Sequence, residues 1–460
     1  MIRQAGLALV KIEACYRPRI NAVPLRRWLE PLQDIPERGR STLLLWLGAG
    51  LVGLVAVLLA KAAEWASGGF LALQQRCWWA PLLIVPLGGV LVRWLMLRIG
   101  RGAEGSGIPQ AKACLALADE PTLANRLLSP RIAVAKFLGI VGGLASGFVL
   151  GREGPTVQIG ASIMYSLRRL APIDDAQLRR QLILAGGAAG IAAAFNTPLA
   201  GIVFAFEELA RSVEEKTSGK LLGAVILAGV VSLALQGDYV YFGRIRVPGF
   251  DYSILLPVLL IGVACGLAGG AFAWLCVHTE RWLPQRVRAV QRRFPYYFVA
   301  ACGLLIAVCG LIAPIHGSGA EITSAAINSA QALPWYFMPL KMIGMIATFL
   351  TGLPGGIFAP SLALGAGVGS WFAPLFAASL TVKLMAIGMA AMLAAVTRAP
   401  LTSSIILIEM TDGHAMVISI LATALVASTV ARFFRTNLYH ELAERALLAL
   451  HPHPALEKNP

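Results

Sequence analysis

The stretch Gly151–Gly160 reads GREGPTVQIG, and a similar stretch, GIFAPSLALG in Gly356–Gly365, follows 205 residues later. Both copies begin and end with glycine and place a proline before a hydroxyl residue at matched positions. A second pair follows in the same order, because Gly186–Glu207 matches Gly388–Glu409 at an offset of 202. Shared enrichment in alanine and glycine could produce one match, but two in the same order favour internal duplication. Many secondary transporters contain such repeats, parallel or inverted, and the sequence leaves both arrangements open.

The composition indicates that much of the chain lies in a membrane. Of its 460 residues, 57% are hydrophobic and only 14% are charged, and the mean hydropathy is +0.71. Soluble globular proteins contain about 45–50% apolar and about 25% charged residues. A soluble fold has too little interior for this many apolar side chains, so we expect an all-α polytopic membrane protein. This excludes a soluble enzyme, a disordered scaffold and a secreted disulfide-rich module.

Long uncharged runs locate the membrane-spanning part. Residues 181–206, 252–279 and 342–382 carry no charge, and one span needs roughly 20 apolar residues. The last run therefore holds about two passes or several shorter pieces. The 47 glycines and 26 prolines interrupt many apolar stretches, and backbone freed by such breaks is tolerated at membrane depth only inside protein or beside a wet cavity. Broken helices are typical of a transporter or channel.

The net charge of +15 is concentrated beside the spans. Basic residues crowd the N-terminal segment 1–42 and the connection from Arg281 to Arg293. This is the positive-inside pattern, and it places both segments in the cytoplasm. We therefore expect the lipid bilayer, and no nucleic acid, as the partner of these charges. The residues before the first span are too charged and too interrupted by proline for a cleavable signal peptide.

The cysteines and histidines do not form a reactive or metal-binding pattern. The seven cysteines are scattered, mostly within apolar segments, and no CxxC occurs, so we interpret them as packing residues. His278, His316 and His414 lie near the ends of apolar runs and are interpreted as boundary residues. Neither GxxxxGKS/T nor a strand-linked GxGxxG is present. We therefore expect no enzyme, no metal site and no cofactor.

Three glycine- and proline-rich motifs interrupt apolar runs: EGSGIPQ (Glu104–Gln110), GREGP (Gly151–Pro155) and GGIFAP (Gly355–Pro360). Each has the pattern of a helix start. A helix N-terminus leaves its first N–H groups unpaired and carries a partial positive charge. Several such ends meeting in the membrane would bind an anion without a full countercharge, which would hold the ion too tightly for rapid passage. Taken singly, each motif could equally be a kink or a packing turn.

Glutamates stand beside these motifs. Glu153 adjoins a membrane segment, where a carboxylate is costly unless it serves a pathway. At a helix N-terminus, an ionised Glu153 would occupy the anion site and would leave it when protonated, which makes it both a gate and a proton carrier. The alternative is that Glu153 stabilises the helix dipole at the membrane surface. Glu207 and Glu208 follow the uncharged run 181–206, and they either mark the membrane boundary or feed protons inward.

The three motifs, in this order and spacing, resemble those of the CLC family of chloride channels and proton-coupled chloride transporters. The resemblance implies a fold of about 18 helices in two inverted halves with broken helices around a central anion site, a homodimer and a separate pore in each subunit. It also implies a multi-pass protein of the bacterial inner membrane with both termini in the cytoplasm. On this basis the chain divides into an N-terminal segment 1–42, a membrane domain 43–444 with repeats at roughly 43–235 and 252–435, and a short tail 445–460.

The resemblance implies roles for individual residues as well. Glu153 matches the gating glutamate, and Glu208 matches the internal proton-transfer glutamate of the antiporters. Since channel members usually carry another residue at the second position, Glu208 favours exchange. The chloride site would be formed by Ser106, Gly107, Ile357, Phe358 and Tyr439, with Arg152, Gly154 and Gly356 in supporting positions. We therefore predict a proton-coupled chloride antiporter that exchanges two chloride ions per proton, with a passive chloride-selective channel on the same fold as the alternative.

Three details refine this resemblance. Ser106 stands where nitrate-preferring members have proline, which indicates chloride. Gln110 replaces the glutamate that usually follows GSGIP; it lies beyond the expected chloride contacts, so we expect altered local electrostatics and an intact site. Only 21 residues follow Tyr439, too few for the paired regulatory domains of many eukaryotic members, so we expect no nucleotide regulation of that kind.

Overall fold

Helices account for nearly all of the ordered backbone in the computed structural model, which describes residues 37–170, 174–209, 218–237, 242, 245 and 252–450. By its internal contacts the chain divides into two units, Met1–Leu43 and Leu44–Pro460. Most of the predicted N-terminal segment and of the predicted tail lies outside the described residues. Their cytoplasmic placement and the repeat boundaries therefore stay predictions.

Six of the helices begin at a proline, which suits the first helical position because its missing N–H would have no partner there. Within the described ranges, the only β-type pairing is an isolated bridge between Gly151 and Gly356. The first ten helices are α1 Glu37–Arg76, α2 Pro81–Ile99, α3 Ile108–Ala116, α4 Pro121–Leu127, α5 Pro130–Ala145, α6 Glu153–Ser166, α7 Ala176–Phe195, α8 Pro198–Phe204, α9 Ser218–Gln236 and α10 Leu255–Val277. The second ten are α11 Thr279–Trp282, α12 Gln285–Arg293, α13 Pro295–Ile312, α14 Ala320–Ser329, α15 Phe337–Thr351, α16 Phe358–Phe372, α17 Thr381–Thr397, α18 Pro400–Thr411, α19 Val417–Ala431 and α20 Leu438–Leu450.

Helix length separates full spans from broken ones. Seven helical segments of the described chain are long and apolar enough to cross a membrane. By contrast, α6 has 14 residues and α16 has 15, fewer than the roughly 20 that a span requires. Both are almost completely buried, so their N-termini lie inside the protein, where broken helices are tolerated. The predicted all-helical membrane class with interrupted helices is confirmed.

The duplicated stretches pack in the same way in both halves. Helices α6 and α7 cross at Gly160 and Gly186, where a Cβ on either residue would collide with the carbonyl oxygen of the other. Helices α16 and α17 cross at Gly365 and Gly388 with the same mutual approach. Since only glycine lets two backbones come this close, the repeat seen in the sequence is a repeated helix-packing interface.

The breaks after α7 and α17 are matched too. Helix α7 ends at Asn196 (φ 58°) and α17 ends at Arg398 (φ 60°), both in the left-handed region. Two residues later Pro198 and Pro400 begin α8 and α18. Because proline disfavours the helical conformation of the residue before it, the sequences NTP and RAP each end one helix and start the next.

Two glutamates cap helices of the opposite half. Glu207 follows α8, and its carboxylate accepts a hydrogen bond from the amide of Thr402 (2.6 Å) in the first turn of α18. Glu409 near the end of α18 accepts one from the amide of Ala200 (2.7 Å) in the first turn of α8. Each carboxylate satisfies amides that a helix start leaves unpaired at the positive end of the helix dipole. Because each helix end meets the start of the other, α8 and α18 are antiparallel, as expected for inverted halves.

A buried lysine holds a Gly-Ser-Gly loop in each half. Lys136 in α5 donates a hydrogen bond to the carbonyl oxygen of Gly105 (2.7 Å). Lys341 in α15, 205 residues later, donates to the carbonyl oxygen of Gly317 (3.4 Å). Both lysines are completely buried, and burial of an ammonium is tolerated only when it is paired or hydrogen-bonded. The two lysines therefore fix equivalent loops, residues 105–107 and 317–319.

His316 follows the end of α13, but it does not lie at a solvent boundary as the sequence suggested. Its side chain is buried, with Nδ1 2.6 Å from the carbonyl oxygen of Gly147. The ring centroid lies 4.7 Å from that of Phe70 in α1, edge to face. The loop after α13 folds inward, so the end of an apolar run in the sequence does not mark the depth of this side chain.

Candidate functional site

The three motifs meet at one place. Gly151 and Gly356 exchange two backbone hydrogen bonds of 2.7 Å each, which joins the second motif to the third. The amide of Gly355 donates to the carbonyl oxygen of Gly105 (3.1 Å), which joins the third motif to the first. Segments that are up to 251 residues apart in the sequence therefore form a single cluster of loops.

Glycines allow these loops to touch. A Cβ on Gly154 would collide with the hydroxyl oxygen of Ser106. A Cβ on Gly356 would lie 3.0 Å from both the carbonyl oxygen of Gly151 and the amide nitrogen of Gly154, which is tighter than most Cβ contacts. Gly154 and Gly356, predicted as supporting residues, thus bring the backbones of the motifs together.

Each of the three loops leads directly into a helix. Helices α3, α6 and α16 begin at Ile108, Glu153 and Phe358. Their first amides have no partner within the helix, and the helix dipoles add partial positive charge at the same point. Because the three helix starts converge, the arrangement is suited to binding an anion.

Two buried hydroxyl groups face the same region. Ser106 and Tyr439 are buried, and their hydroxyl groups lie close together. Neither oxygen has a hydrogen-bond partner of standard geometry among the described residues. The ring of Phe358 lies 6.1 Å from that of Tyr439, while Ile357 is half-buried. Ser106, Phe358 and Tyr439 therefore lie together, with Ile357 directly before α16, and their binding of chloride stays a prediction.

Glu153 lies at the start of α6 with no solvent exposure. A Cβ on Gly151 would collide with one of its carboxylate oxygens, so the side chain folds back over the second motif. It is also close enough to Tyr439 to interact with it electrostatically. A completely buried carboxylate at the meeting point of the helix starts contradicts the alternative of a surface residue that only stabilises the helix dipole.

Arg152 is oriented towards α1 instead. Its guanidinium donates to the carbonyl oxygen of Ala60 (2.8 Å) and to Glu64 (3.0 Å). Arg152, Glu64 and Glu321 line a cavity of about 70 Å³. This cavity, called the vestibule below, adjoins the residue before Glu153.

A buried lysine that was not identified from the sequence lies near the predicted anion site. The ammonium of Lys136 lies behind the first motif, where it donates to the carbonyl oxygens of Ala103 (2.9 Å), Glu104 (3.3 Å) and Gly105 (2.7 Å). Its charge is therefore directed at the loop backbone and reaches the site only through it. A single lysine within the apolar sequence of α5 is the signal that could have identified this residue, since intramembrane ionisable residues are rare.

Gln110 replaces glutamate without loss of the helix cap. Its side-chain oxygen accepts from the amide of Gly107 (3.0 Å), and its side-chain nitrogen donates to the carbonyl oxygen of Glu104 (2.7 Å). A glutamate could form the first bond when ionised but not the second. The amide of Gly107, predicted to belong to the chloride site, is thus engaged by Gln110, and Gly107 supplies the left-handed turn (φ 104°) from which α3 begins.

Glu208 lies in a single π-helical turn, Ala205–Leu209, after α8. Its side chain is 1% exposed and forms an ion pair of 2.6 Å with Lys112 of α3, whose side chain is 13% exposed. It interacts electrostatically with Tyr439. Glu208 is therefore a buried, ion-paired carboxylate, and its role in proton transfer stays a prediction. Lys112 was not identified from the sequence, because its partner lies 96 residues away; its one signal is a charge in the otherwise apolar second turn of α3.

Comparison with known proteins gives a consistent result. A family model described as voltage gated chloride channel matches residues 88–432. The H⁺/Cl⁻ exchange transporter ClcA of Citrobacter koseri is 32% identical over 455 residues, which cover 93% of this chain and 93% of that protein. ClcA of Salmonella paratyphi B is 30% identical over 452 residues, covering 92% and 93%.

Solved structures share the architecture. A slow cyanobacterial Cl⁻/H⁺ antiporter superposes with a TM-score of 0.71 at 26% identity, covering 90% of this chain and 98% of that one. A CLC-type fluoride/proton antiporter superposes with a TM-score of 0.70 at 23% identity, covering 86% and 96%; at this identity the likeness concerns the fold. With its inverted halves, its three converging motifs and a family match over most of its length, the chain belongs to the CLC family of voltage-gated chloride channel proteins.

Proposed function

We propose that the protein is a secondary active antiporter that exchanges chloride for protons. The observation that carries this proposal is a pair of completely buried glutamates, Glu153 and Glu208, which both interact electrostatically with Tyr439 at the candidate anion site. Buried carboxylates are costly in a membrane protein and are typically retained where protons or ions move. The ClcA relatives, which are H⁺/Cl⁻ exchange transporters, support the same assignment.

Chloride would bind where the three helix starts meet. The hydroxyl groups of Ser106 and Tyr439 would donate to it, together with the first amides of α16 at Ile357 and Phe358. These are neutral donors, and the charge of Lys136 is directed at carbonyl oxygens behind the loop. Such a site attracts an anion and also lets it leave. Conduction requires both, since the ion must bind strongly enough to enter the site and weakly enough to be released.

Glu153 would couple the two ions. In its ionised form the carboxylate competes with chloride for the same helix N-termini, and protonation removes that competition. Protonated Glu153 swings towards the vestibule formed by Arg152, Glu64 and Glu321, releases its proton there, and returns as an anion. Each cycle therefore moves a proton in one direction and chloride in the other, and the family resemblance suggests two chloride ions per proton.

Glu208 would deliver protons from the opposite, cytoplasmic side. Its partner Lys112 is the more exposed member of the ion pair and stands between the buried carboxylate and solvent. The 2.6 Å ion pair fixes the Glu208 carboxylate towards this more exposed side chain. We assign to Lys112 the role of orienting the Glu208 carboxylate on the proton route from solvent.

A homodimer in the bacterial inner membrane is proposed as the working assembly. The adjoining helices α8, α9, α18 and α19 present large apolar side chains that are about half-exposed in the monomer, among them Leu199, Val230, Leu401 and Leu425. A second copy of the chain would cover this face, leaving each subunit with its own ion site. Both termini are proposed to be cytoplasmic.

The alternative is a passive chloride channel on the same fold. The two functions are distinguished by the initial rates of chloride and proton movement in proteoliposomes that contain the purified protein. Exchange predicts a fixed ratio of the two rates over a range of chloride gradients. Chloride movement with no accompanying protons would reject the exchanger and leave the channel.

A further inference from the structure

Helix α12 is a short, strongly basic segment between two membrane-crossing helices. The connection from α10 to α13 contains five arginines and, from Arg281 to Arg293, no acidic residue. The preceding and following spans, α10 and α13, are both long and apolar enough to cross the membrane. The connection therefore lies at a membrane surface, on the side that the positive-inside pattern predicts to be cytoplasmic.

Three of the four arginines of α12 are exposed, and Arg288 is half-buried. At 100° per residue, its four arginines fall on one broad face and Val287 and Val290 on the opposite face. Val287 packs against the protein core, and Gln291 donates to the carbonyl oxygen of Leu350 (2.9 Å), which holds α12 against the end of α15. Helix α12, which carries these guanidinium groups, is therefore held against the protein at Val287 and Gln291.

The guanidinium of Arg293 lies over the ring of Phe294, 5.5 Å from its centroid, but no acidic side chain of the described residues compensates these charges. Within the described ranges, none of the arginines of this connection forms an ion pair, whereas Arg179 and Arg180 on α7 pair with Asp174 (2.6 Å) and Asp119 (2.9 Å). Arg286, Arg292 and Arg293 are exposed. Three exposed arginines on one helix face, with no acid between them, form an uncompensated positive surface.

Aromatic side chains place this surface at headgroup depth. Trp282 before α12 donates its indole N–H to the carbonyl oxygen of Leu275 (2.8 Å). Phe294, Tyr296 and Tyr297 after it are all exposed. Tryptophan and tyrosine are enriched at the membrane–water interface, so the aromatic residues at both ends put the arginines level with lipid phosphates.

We propose that α12 binds the phosphodiester headgroups of anionic phospholipids in the cytoplasmic leaflet. Guanidinium groups match phosphate oxygens with two parallel hydrogen bonds. A cationic side chain near an anionic leaflet contributes roughly fivefold in affinity, so three arginines together contribute on the order of 100-fold. The occupant is a lipid and not free phosphate, because the aromatic residues on either side require an apolar phase.

The test is a titration of the full-length protein, purified in neutral detergent, with short-chain phosphatidylglycerol and, separately, phosphatidylcholine, followed by native mass spectrometry. We expect wild type to prefer phosphatidylglycerol, and R286Q/R292Q/R293Q to lose on the order of 100-fold in its affinity. The lysine variant R286K/R292K/R293K keeps the charge but loses the paired hydrogen bonds, so its affinity should lie between those of wild type and R286Q/R292Q/R293Q. Millimolar glycerol phosphate should not displace the lipid.

A charge-matched control is R101Q/R126Q/R169Q, which removes three exposed arginines of other segments and should bind phosphatidylglycerol as wild type does. Chloride flux in neutral-lipid vesicles checks that both triple variants fold. Unchanged phosphatidylglycerol affinity in R286Q/R292Q/R293Q, or an equal loss in the control, would overturn the proposal. Displacement by glycerol phosphate alone would mean a soluble-phosphate site and would also overturn it.

Discussion

The two halves of the protein share a scaffold and differ in chemistry. Both contain a crossing pair of glycines, a capping glutamate and a lysine that holds a Gly-Ser-Gly loop. At the start of the short buried helix, however, Glu153 of α6 corresponds to Phe358 of α16, 205 residues later. At the offset of the second repeat, Glu208 corresponds to Met410. Both glutamates of the proposed proton route therefore lie in the first half.

The two Gly-Ser-Gly loops also differ between the halves, because only the first one lies where the three motifs meet. Ser106 is buried where the three motifs meet, with its hydroxyl beside Tyr439. Ser318 in the equivalent loop lines the vestibule with Arg152 and Glu64. Duplication thus accounts for the framework, and a few substitutions in one half account for the proposed transport chemistry.

The largest expected effect is that of Glu153→Gln. Because glutamine at this position has no proton to exchange, coupled proton movement should be abolished while chloride flux continues. The measurement is simultaneous recording of both ions in proteoliposomes. Glu409→Gln, which changes a capping carboxylate in the other half, is the control and should keep coupling. Proton transport that persists in Glu153→Gln would remove this residue from the mechanism.

We expect proton transport to depend on the positive charge of Lys112. Lys112→Met leaves the Glu208 carboxylate buried without its ammonium, so we expect proton transport to fall by on the order of tenfold or more and to approach that of Glu208→Gln. Lys112→Arg keeps the charge and should restore most of the proton flux. The folding of each Lys112 variant is checked by measuring its chloride flux at a saturating proton gradient. Wild-type coupling in Lys112→Met would show that the ion pair has no part in proton delivery.

Ser106→Pro tests the difference between the two loops. Proline removes the hydroxyl donor, so nitrate should gain on chloride in a comparison of anion fluxes. Ser318→Ala removes the equivalent hydroxyl in the second half and should leave the anion ranking unchanged. If the ranking stays the same in both variants, the first motif is not a selectivity element.

The smallest expected effects concern the shared scaffold. Glu207→Ala and Glu409→Ala each remove a carboxylate that caps a helix of the other half, which should cost about 1–2 kcal/mol of stability. Thermal unfolding in detergent should show similar losses for the two variants, with the proton-to-chloride ratio unchanged. A selective loss of coupling in Glu207→Ala would assign it a role in proton transfer and break the equivalence of the two caps.

Patterns along the chain predicted the fold class, the duplication and most of the candidate site. Glycine and proline at fixed positions mark helix starts locally, and Glu153 is recognisable because a charge stands out in an apolar segment. The pairing of Lys112 with Glu208 and the exchange of caps by Glu207 and Glu409 join positions far apart in sequence. Such contacts depend on how the halves interlock, which no local pattern records.

The central claim is that the buried glutamates of the first half couple protons to chloride. It is tested most directly by imposing an outward chloride gradient on proteoliposomes with no initial pH difference and recording the internal pH. We predict that wild-type protein drives protons inward against their developing gradient as chloride leaves, and that Glu153→Gln releases chloride without any change in pH. Chloride release with no proton movement in the wild type would contradict the account.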